Sequence, residues 1–220
     1  MLSTVRAAAW LWISLTLGLA LSVPWPAGAG SEAGKSWAGK SEASKTGAEP
    51  ESAQAPVTLE SVFAGRGVGY SIHYPKAWRV TRPGGYTVVF GGAPDTVAYY
   101  TTVSIDNRLS PRPDDIRLGA AAIMAQYTQE LATLAHESKV LLKAPFFYRK
   151  DLVRLEGYQT VAEFSGTAER MRQWVVVLPR RSGTVVHVWI FTAPTAEFDH
   201  ALPTAQAMLD SWKISDSDTE

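Results

Sequence analysis

Two adjacent stretches, Arg170–Leu178 (RMRQWVVVL) and Thr184–Thr192 (TVVHVWIFT), decide the predicted fold. Both are rich in Val, Trp and other apolar residues with hardly any alternation, which is typical of strands covered on both faces at the centre of a sheet. The turn at 180–183 is too short for the crossover that parallel strands need. The two stretches are therefore predicted to be neighbouring antiparallel strands.

The residues before this pair extend it to a meander of four strands. Residues 139–148 and 152–164 are rich in β-branched and aromatic residues, and short polar turns follow each of them. Shorter strands are predicted upstream, at residues 70–74, 78–80, 86–90 and 97–105. Most of the domain is therefore predicted to be antiparallel sheet.

A first helix is predicted between the two groups of strands. Asp114 and Asp115 stand at its start, where carboxylates favour the positive end of the helix dipole, and it ends near His136. Its apolar stripe, at steps of three and four, comprises Ile116, Ala120, Ile123, Tyr127, Leu131 and Leu134.

A second helix is predicted near the end of the chain. Thr195 is a plausible N-cap for this region. Pro203 is poorly tolerated in a helix interior, so the sequence favours a helix that starts near Leu202 after a separate turn at 197–201.

The N-terminal residues predict an export signal. Arg6 precedes an apolar run at 7–23, prolines follow, and Ala27-Gly28-Ala29 offers small residues for cleavage. An uncleaved anchor is the alternative, because a run of about 17 apolar residues is at the short limit of a membrane span. We expect a signal peptide at 1–29 and no stable membrane span after its cleavage.

Composition divides the rest of the chain. Residues 30–56 consist mainly of Gly, Ser, Ala, Glu and Lys and are expected to form a disordered linker. Residues 57–214 form the predicted domain, and 215–220 a flexible acidic tail. The 220-residue chain is 46% hydrophobic and 19% charged, which is enough apolar material for a core.

Charge and cysteine content exclude several classes of function. The formal net charge is zero, which argues against nucleic-acid binding. The chain has no cysteine, so disulfides, thiol catalysis and cysteine zinc sites are excluded. The glycine-rich stretch at 65–69 lacks the G-K-[ST] of a phosphate loop and precedes a strand, so it is interpreted as a loop.

Few residues suggest a binding site. The four histidines show no metal-ligand spacing, and neither a catalytic residue nor a cofactor or metal site is predicted. His187 shares a strand face with Trp189 and is either a pocket ligand or base, or a histidine that has its hydrogen bonds satisfied or lies at a sheet edge, which we favour. Arg170 and Arg172, with Arg180 and Arg181, suggest an anionic-ligand surface, although a solvated hairpin rim explains them better.

Two motifs at the ends of the domain resemble a known family. They are Tyr70-x-x-x-Tyr74-Pro75-x-x-Trp78 at its start and, after the last strand, Ala193-Pro194, Phe198-x-x-x-Leu202-Pro203 and Met208-Leu209-x-Ser211-Trp212. The pattern resembles the PsbP-like superfamily, which includes the extrinsic PsbP subunit of photosystem II and related bacterial exported proteins. The resemblance implies an α+β fold, an α/β/α sandwich with a central antiparallel sheet flanked by helices.

The resemblance also implies a class of function. Members that are understood are not enzymes; they bind and stabilise partners. We therefore expect an exported, non-catalytic module with a protein partner, located in the periplasm or, in a photosynthetic host, in the thylakoid lumen. Two alternatives remain open: a hydrolase that uses His187 as its base, and a small-molecule or lipid carrier. The carrier's cleft would be lined by Tyr99, Phe146, Phe147 and Trp189.

Overall fold

The structure, a computed structural model, describes residues 57–65, 67–94, 96–166, 169–181 and 184–215. The predicted signal peptide (1–29), the linker (30–56) and residues 216–220 of the predicted tail lie outside these ranges. The part of the chain that is described contains no helix long and apolar enough to cross a membrane.

Antiparallel strands dominate the described residues, together with two α-helices. The helices are α1 (Ile116–Leu134) and α2 (Phe198–Ser211). The strands are β1 (Ser61–Ala64), β2 (Tyr70–Tyr74), β3 (Arg79–Gly84), β4 (Thr87–Gly91), β5 (Thr102–Leu109), β6 (His136–Lys150), β7 (Val153–Ser165), β8 (Arg170–Pro179), β9 (Val185–Pro194) and β10 (Lys213–Ile214). The predicted α+β class with a mostly antiparallel sheet is confirmed.

The strands form a seven-stranded and a three-stranded sheet. The larger has the order β3-β4-β5-β9-β8-β7-β6, so the predicted meander β6 to β9 is present and β9 lies at the centre. The smaller has the order β1-β2-β10. Because β8 and β9 are inner strands, the side chains of β9 and of β8 from Trp174 onward are mostly buried on both faces, which explains why these sequences do not alternate.

Each face of the large sheet carries its own apolar core. On one face, Val175, Val177 and Val188 pack with Ala120 and Ile123 of α1. The core of the other face includes Trp189 and Phe191 of β9, Met208 and Leu209 of α2, and Tyr70 and Ile72 of the small sheet.

Helix α1 begins where the sequence predicts. The Asp115 side chain accepts hydrogen bonds from the backbone N–H groups of Arg117 (3.1 Å) and Leu118 (3.0 Å), as an N-cap does. The helix ends at Leu134, and His136 already belongs to β6.

The strand predicted at 97–105 is wrong in its first half. Val97–Tyr100 form a short 3-10 helix, closed by a hydrogen bond from Thr101 N–H to Ala98 O (3.0 Å), and β5 begins only at Thr102. Gly92 allows this turn, because a Cβ there would collide with the backbone of Ala98. Local β-propensity was overridden by this close backbone approach.

The predicted start of the second helix is also wrong. Helix α2 starts at Phe198, its N-cap is Glu197 and not Thr195, and Pro203 lies inside it. Phe198 is buried, and its ring packs 4.8 Å from that of Phe191. This packing stabilises the first turn, and it offsets the one helical hydrogen bond that is lost at Pro203 in the second turn.

Candidate functional site

His187 lies in the middle of β9 and is fully buried. Its ring packs edge-on against Tyr70 and Trp212, with centroids 5.8 and 5.9 Å away, and these two rings are 6.2 Å from each other. The structure thus brings a strand residue of each sheet together with the residue that follows α2. We call Tyr70, His187 and Trp212 the aromatic cluster.

Asn107 of β5 fixes the tautomer of His187. Its Nδ2 donates to the backbone oxygen of Val68 (2.7 Å), which turns its Oδ1 toward His187 Nδ1 at 2.6 Å. Since Oδ1 only accepts, the proton of the neutral imidazole lies on Nδ1 and Nε2 keeps a lone pair. Nε2 is buried and has no hydrogen-bond partner among the described residues.

Burial controls the charge of His187. Removal from solvent lowers its pKa to about 3, and the positive charge of Arg180 acts in the same direction. The ring is therefore neutral at physiological pH. A neutral imidazole with a sealed Nε2 has no access to a substrate in solvent, so the geometry gives no support to a hydrolytic base at this position.

The prediction that Arg180 lies on a solvated hairpin rim is wrong. It is buried, and its Nη2 donates to the backbone oxygen of Val68 (3.2 Å). Gly69 makes room for it: a Cβ there would overlap the guanidinium, and its φ of +72° suits glycine. The loop at 65–69 thus accommodates a buried arginine.

Arg170 and Arg172 lie at the opposite end of β8 from Arg180, roughly 30 Å away along an extended strand. The four arginines therefore do not form one cluster. Arg172 pairs with Glu163 (2.7 Å) and Asp199 (3.2 Å), and its guanidinium lies 5.1 Å from the centre of the Phe198 ring.

These contacts bind β7, β8 and α2 together. The hydrogen bond from Arg172 keeps the pKa of Glu163 below its usual range, and Arg170 lies 3.7 Å from the same carboxylate. Both guanidinium groups thus already face carboxylates of the chain itself, which leaves them less available to an external anion.

Trp189 is fully buried, with its ring 5.2 Å from that of Trp174. Phe146 packs on the same core, whereas Phe147 is 58% exposed and its strand position places it on the other face. Tyr99 lies in the 3-10 helix with its ring against Tyr100. The four aromatic residues proposed for a carrier do not line one cleft.

A surface that the sequence analysis missed lies on the hairpin β6–β7. Strand β6 has 15 residues, forms the end of the large sheet and, among the strands described, pairs only with β7. Nearly half of the exposed large hydrophobic side chains of the described residues belong to this hairpin: Val140, Leu141, Leu142, Phe147, Leu152 and Tyr158. They lie on both faces of the hairpin, since Val140 and Leu142 pair with neighbouring residues of β7, and we call them together the hairpin surface.

The composition of β6 indicates this surface once the position of the strand is known. Its runs Val140-Leu141-Leu142 and Phe146-Phe147-Tyr148 are apolar on both faces, as in a central strand, yet the strand lies at an edge. Only the strand order, which the sequence does not reveal, shows the contradiction. The described residues contain no group of three or more His, Asp or Glu side chains placed to hold a metal ion.

The fold is similar to that of a solved structure. No family model and no curated protein matches the chain. Among solved structures, cyanobacterial PsbP (CyanoP) from Synechocystis sp. PCC 6803 is similar with a TM-score of 0.54 and 11% identity, over 72% of this chain and 94% of that one. The Ran-binding protein Mog1p of Saccharomyces cerevisiae gives a TM-score of 0.48 and 11% identity, over 72% and 97% of the chains. The resemblance to the PsbP-like superfamily is confirmed at the level of the fold.

Proposed function

We propose that this protein is an exported, non-catalytic PsbP-like module that binds and stabilises a partner protein or an envelope complex, which in a phototroph would be a photosynthetic complex. The observation that carries the proposal is the hairpin surface: β6 contains two runs that are apolar on both faces, yet it lies at the edge of the sheet. Exposed apolar groups concentrated in one element are typical of a protein interface.

The core supports a non-catalytic role. The histidine with the most perturbed pKa is sealed in the core as a neutral ring, and Arg172 is engaged by carboxylates of its own chain. The similarity to CyanoP supports the fold that the proposal assumes. In that fold we assign the chain to the α/β/α sandwiches, since α1 and α2 pack on separate cores of the large sheet.

Partner binding is tested in the organism that makes the protein. The full chain carries an affinity tag and is cross-linked before purification, beside a variant with Phe147→Ser and Tyr158→Ser. The control is Leu109→Ser, which changes a residue that is 81% exposed but lies on β5. We expect a protein that co-purifies with the wild type and the control and is depleted with the double variant. Equal recovery by all three would contradict the role of the hairpin surface.

Export is tested separately. The mature protein is isolated from the periplasmic or lumenal fraction and its N-terminus is determined. We expect residues 1–29 to be missing. Recovery of the intact chain in the cytoplasm would refute export and leave the binding experiment unaffected.

A further inference from the structure

We propose that the outer edge of β6 at Phe146–Lys150 accepts an extended, acidic segment of a partner protein as an additional strand. This inference rests on the proposed function and specifies how the partner binds.

The hairpin turn sets the direction of the backbone groups. Lys150 pairs with Val153 across a two-residue loop, and Asp151 in that loop has a φ of +51°. The pair that closes such a loop exchanges hydrogen bonds, so the N–H and C=O of Lys150 point toward β7. Because these directions alternate, Phe147 and Arg149 direct theirs away from β7, toward the free edge.

Pro145 agrees with this assignment and limits the site. It occupies an outward position in the same alternation, where its missing N–H breaks no hydrogen bond to β7. Toward the start of β6, the pairing with β7 shifts register between His136 and Lys139 and again between Val140 and Leu142. Proline and bulges are devices that protect sheet edges. The segment Phe146–Lys150 has neither and keeps a regular register.

Side chains on this segment suit an added strand. Phe146 and Tyr148 pack into the core and hold the strand in place, while Phe147 is exposed on the opposite face. An apolar residue of an added strand would lie beside Phe147 and cover it.

Charge specifies the partner. Arg149 and Arg154 are direct cross-strand partners, an arrangement that is unfavourable for like charges. The nearby Glu156 forms an ion pair with Arg117 (2.8 Å), and within the described residues neither Arg149 nor Arg154 has an ion-pair partner. A carboxylate on the added strand beside Arg149 would relieve this repulsion.

A second copy of the chain fits this edge poorly. Strand β6 carries four basic residues and one acidic residue: Lys139, Lys143, Arg149, Lys150 and Glu137. Two such strands side by side would place an excess of positive charge on both. An acidic segment of a different protein lacks this repulsion.

The probe is a fluorescein-labelled, end-blocked peptide with threonine at every second position and with valine and glutamate in turn at the positions between, so that valine can lie beside Phe147 and glutamate beside Arg149 on one face. It is compared with the same peptide carrying glutamine for glutamate. Binding to the full chain is measured by fluorescence anisotropy at several salt concentrations. We expect the variant with Arg149→Gln and Arg154→Gln to bind the glutamate peptide about tenfold or more weakly, and Arg79→Gln on the other edge strand, β3, to change nothing. The backbone contribution is tested with Phe147→Pro, which removes an outward N–H, against Phe147→Thr, which keeps it. Both variants lose the ring of Phe147, and we expect only the proline variant to bind the peptide still more weakly than that loss explains. Circular dichroism confirms the fold of each variant.

Several outcomes would overturn the proposal. Equal affinity of Phe147→Pro and Phe147→Thr would exclude strand addition, and equal binding of the two peptides would exclude an acidic segment. Tighter binding to phosphatidylglycerol vesicles than to the peptide, with the same dependence on Arg149 and Arg154, would indicate a membrane surface. Dimers in sedimentation that Phe147→Pro dissolves would indicate a second copy. If the cross-linked partner is retained by the Arg149→Gln, Arg154→Gln variant and by Phe147→Pro, this inference fails and the proposed function stands. If the glutamate peptide binds but no partner protein is ever recovered, the edge of β6 binds an acidic strand and the proposed function fails.

Discussion

The buried state of His187 predicts that acid destabilises the fold through this one ring. The pKa of an unfolded histidine is about 6.5, whereas burial lowers that of His187 to about 3 in the folded protein. Between these values the unfolded chain binds a proton that the folded chain excludes. Stability from this residue is therefore complete above pH 6.5 and decreases as the pH falls toward 3.

The magnitude follows from the difference between the two states. Each pH unit below 6.5 costs about 1.4 kcal/mol, so His187 removes about 2 kcal/mol from the free energy of unfolding at pH 5. For a domain of this size, a loss of about 2 kcal/mol is a substantial part of a total of 5–15 kcal/mol.

Urea denaturation at pH 7.5, 6 and 5 measures this loss. His187→Asn is the matched variant, because its side-chain amide is placed to donate to Asn107 as Nδ1 does. Its stability at pH 7.5 is lower, owing to the smaller side chain, and only the change with pH is compared. The wild type is expected to lose about 2 kcal/mol more than the variant between pH 7.5 and 5.

Nuclear magnetic resonance of the ring gives an independent check. We expect the nitrogen shifts of His187 to show the tautomer protonated at Nδ1 and no titration above pH 4. A titration midpoint near 6.5, or equal pH dependence of wild type and variant, would refute the reasoning. The first result would mean that solvent reaches Nε2.

Three further predictions concern the same region. Tyr70→Phe is expected to leave stability unchanged or raise it by about 1 kcal/mol, because the buried hydroxyl of Tyr70 has no hydrogen-bond partner among the described residues. Tyr148→Phe should cost about 1–3 kcal/mol, since the hydroxyl of Tyr148 bonds to the backbone of Trp212 and Ile214 at 3.0 Å each. Thermal melts of the two variants decide this; a larger loss for Tyr70→Phe would reveal a missed partner. Asn107→Leu should cost about 1–3 kcal/mol in urea denaturation, because it leaves His187 Nδ1 without its bond while the backbone oxygen of Val68 keeps the bond from Arg180, and a neutral result would show that the bond between Asn107 and His187 does not stabilise the fold. Gly69→Ala should lower the melting temperature far more than Gly67→Ala, where a Cβ meets no atom within 4 Å although both glycines have positive φ, and equal effects would show that Arg180 moves aside easily.

The fold follows from the sequence wherever a pattern is long enough. The central pair β8 and β9 and the N-cap Asp115 are local features, and each is where the sequence predicts it. Strands β1 and β10 were missed because they are only four and two residues long and exist by pairing with β2. No local pattern encodes such a pairing.

The two errors in element type have the same physical origin. Tyr99 and Tyr100 favour a strand and Pro203 disfavours a helix, and both preferences are about 1 to 3 kcal/mol. Tertiary contacts of comparable size outweigh them: the approach of Ala98 to Gly92 in one case and the burial of Phe198 in the other. A prediction from local propensity is therefore wrong where tertiary contacts contribute more free energy than the propensity.

The hairpin surface was missed for a further reason. Two runs of β6 are apolar on both faces as in an inner strand, whereas Pro145 and the lysines are typical of an edge, and its position follows only from the order of all seven strands. Elsewhere in this sheet the pattern and the position agree, as β8 and β9 show. The apolar runs of this strand lack a neighbouring strand among the described residues. We propose a neighbour from another molecule, and we therefore expect the function of the protein at this edge and not at the histidine in the core.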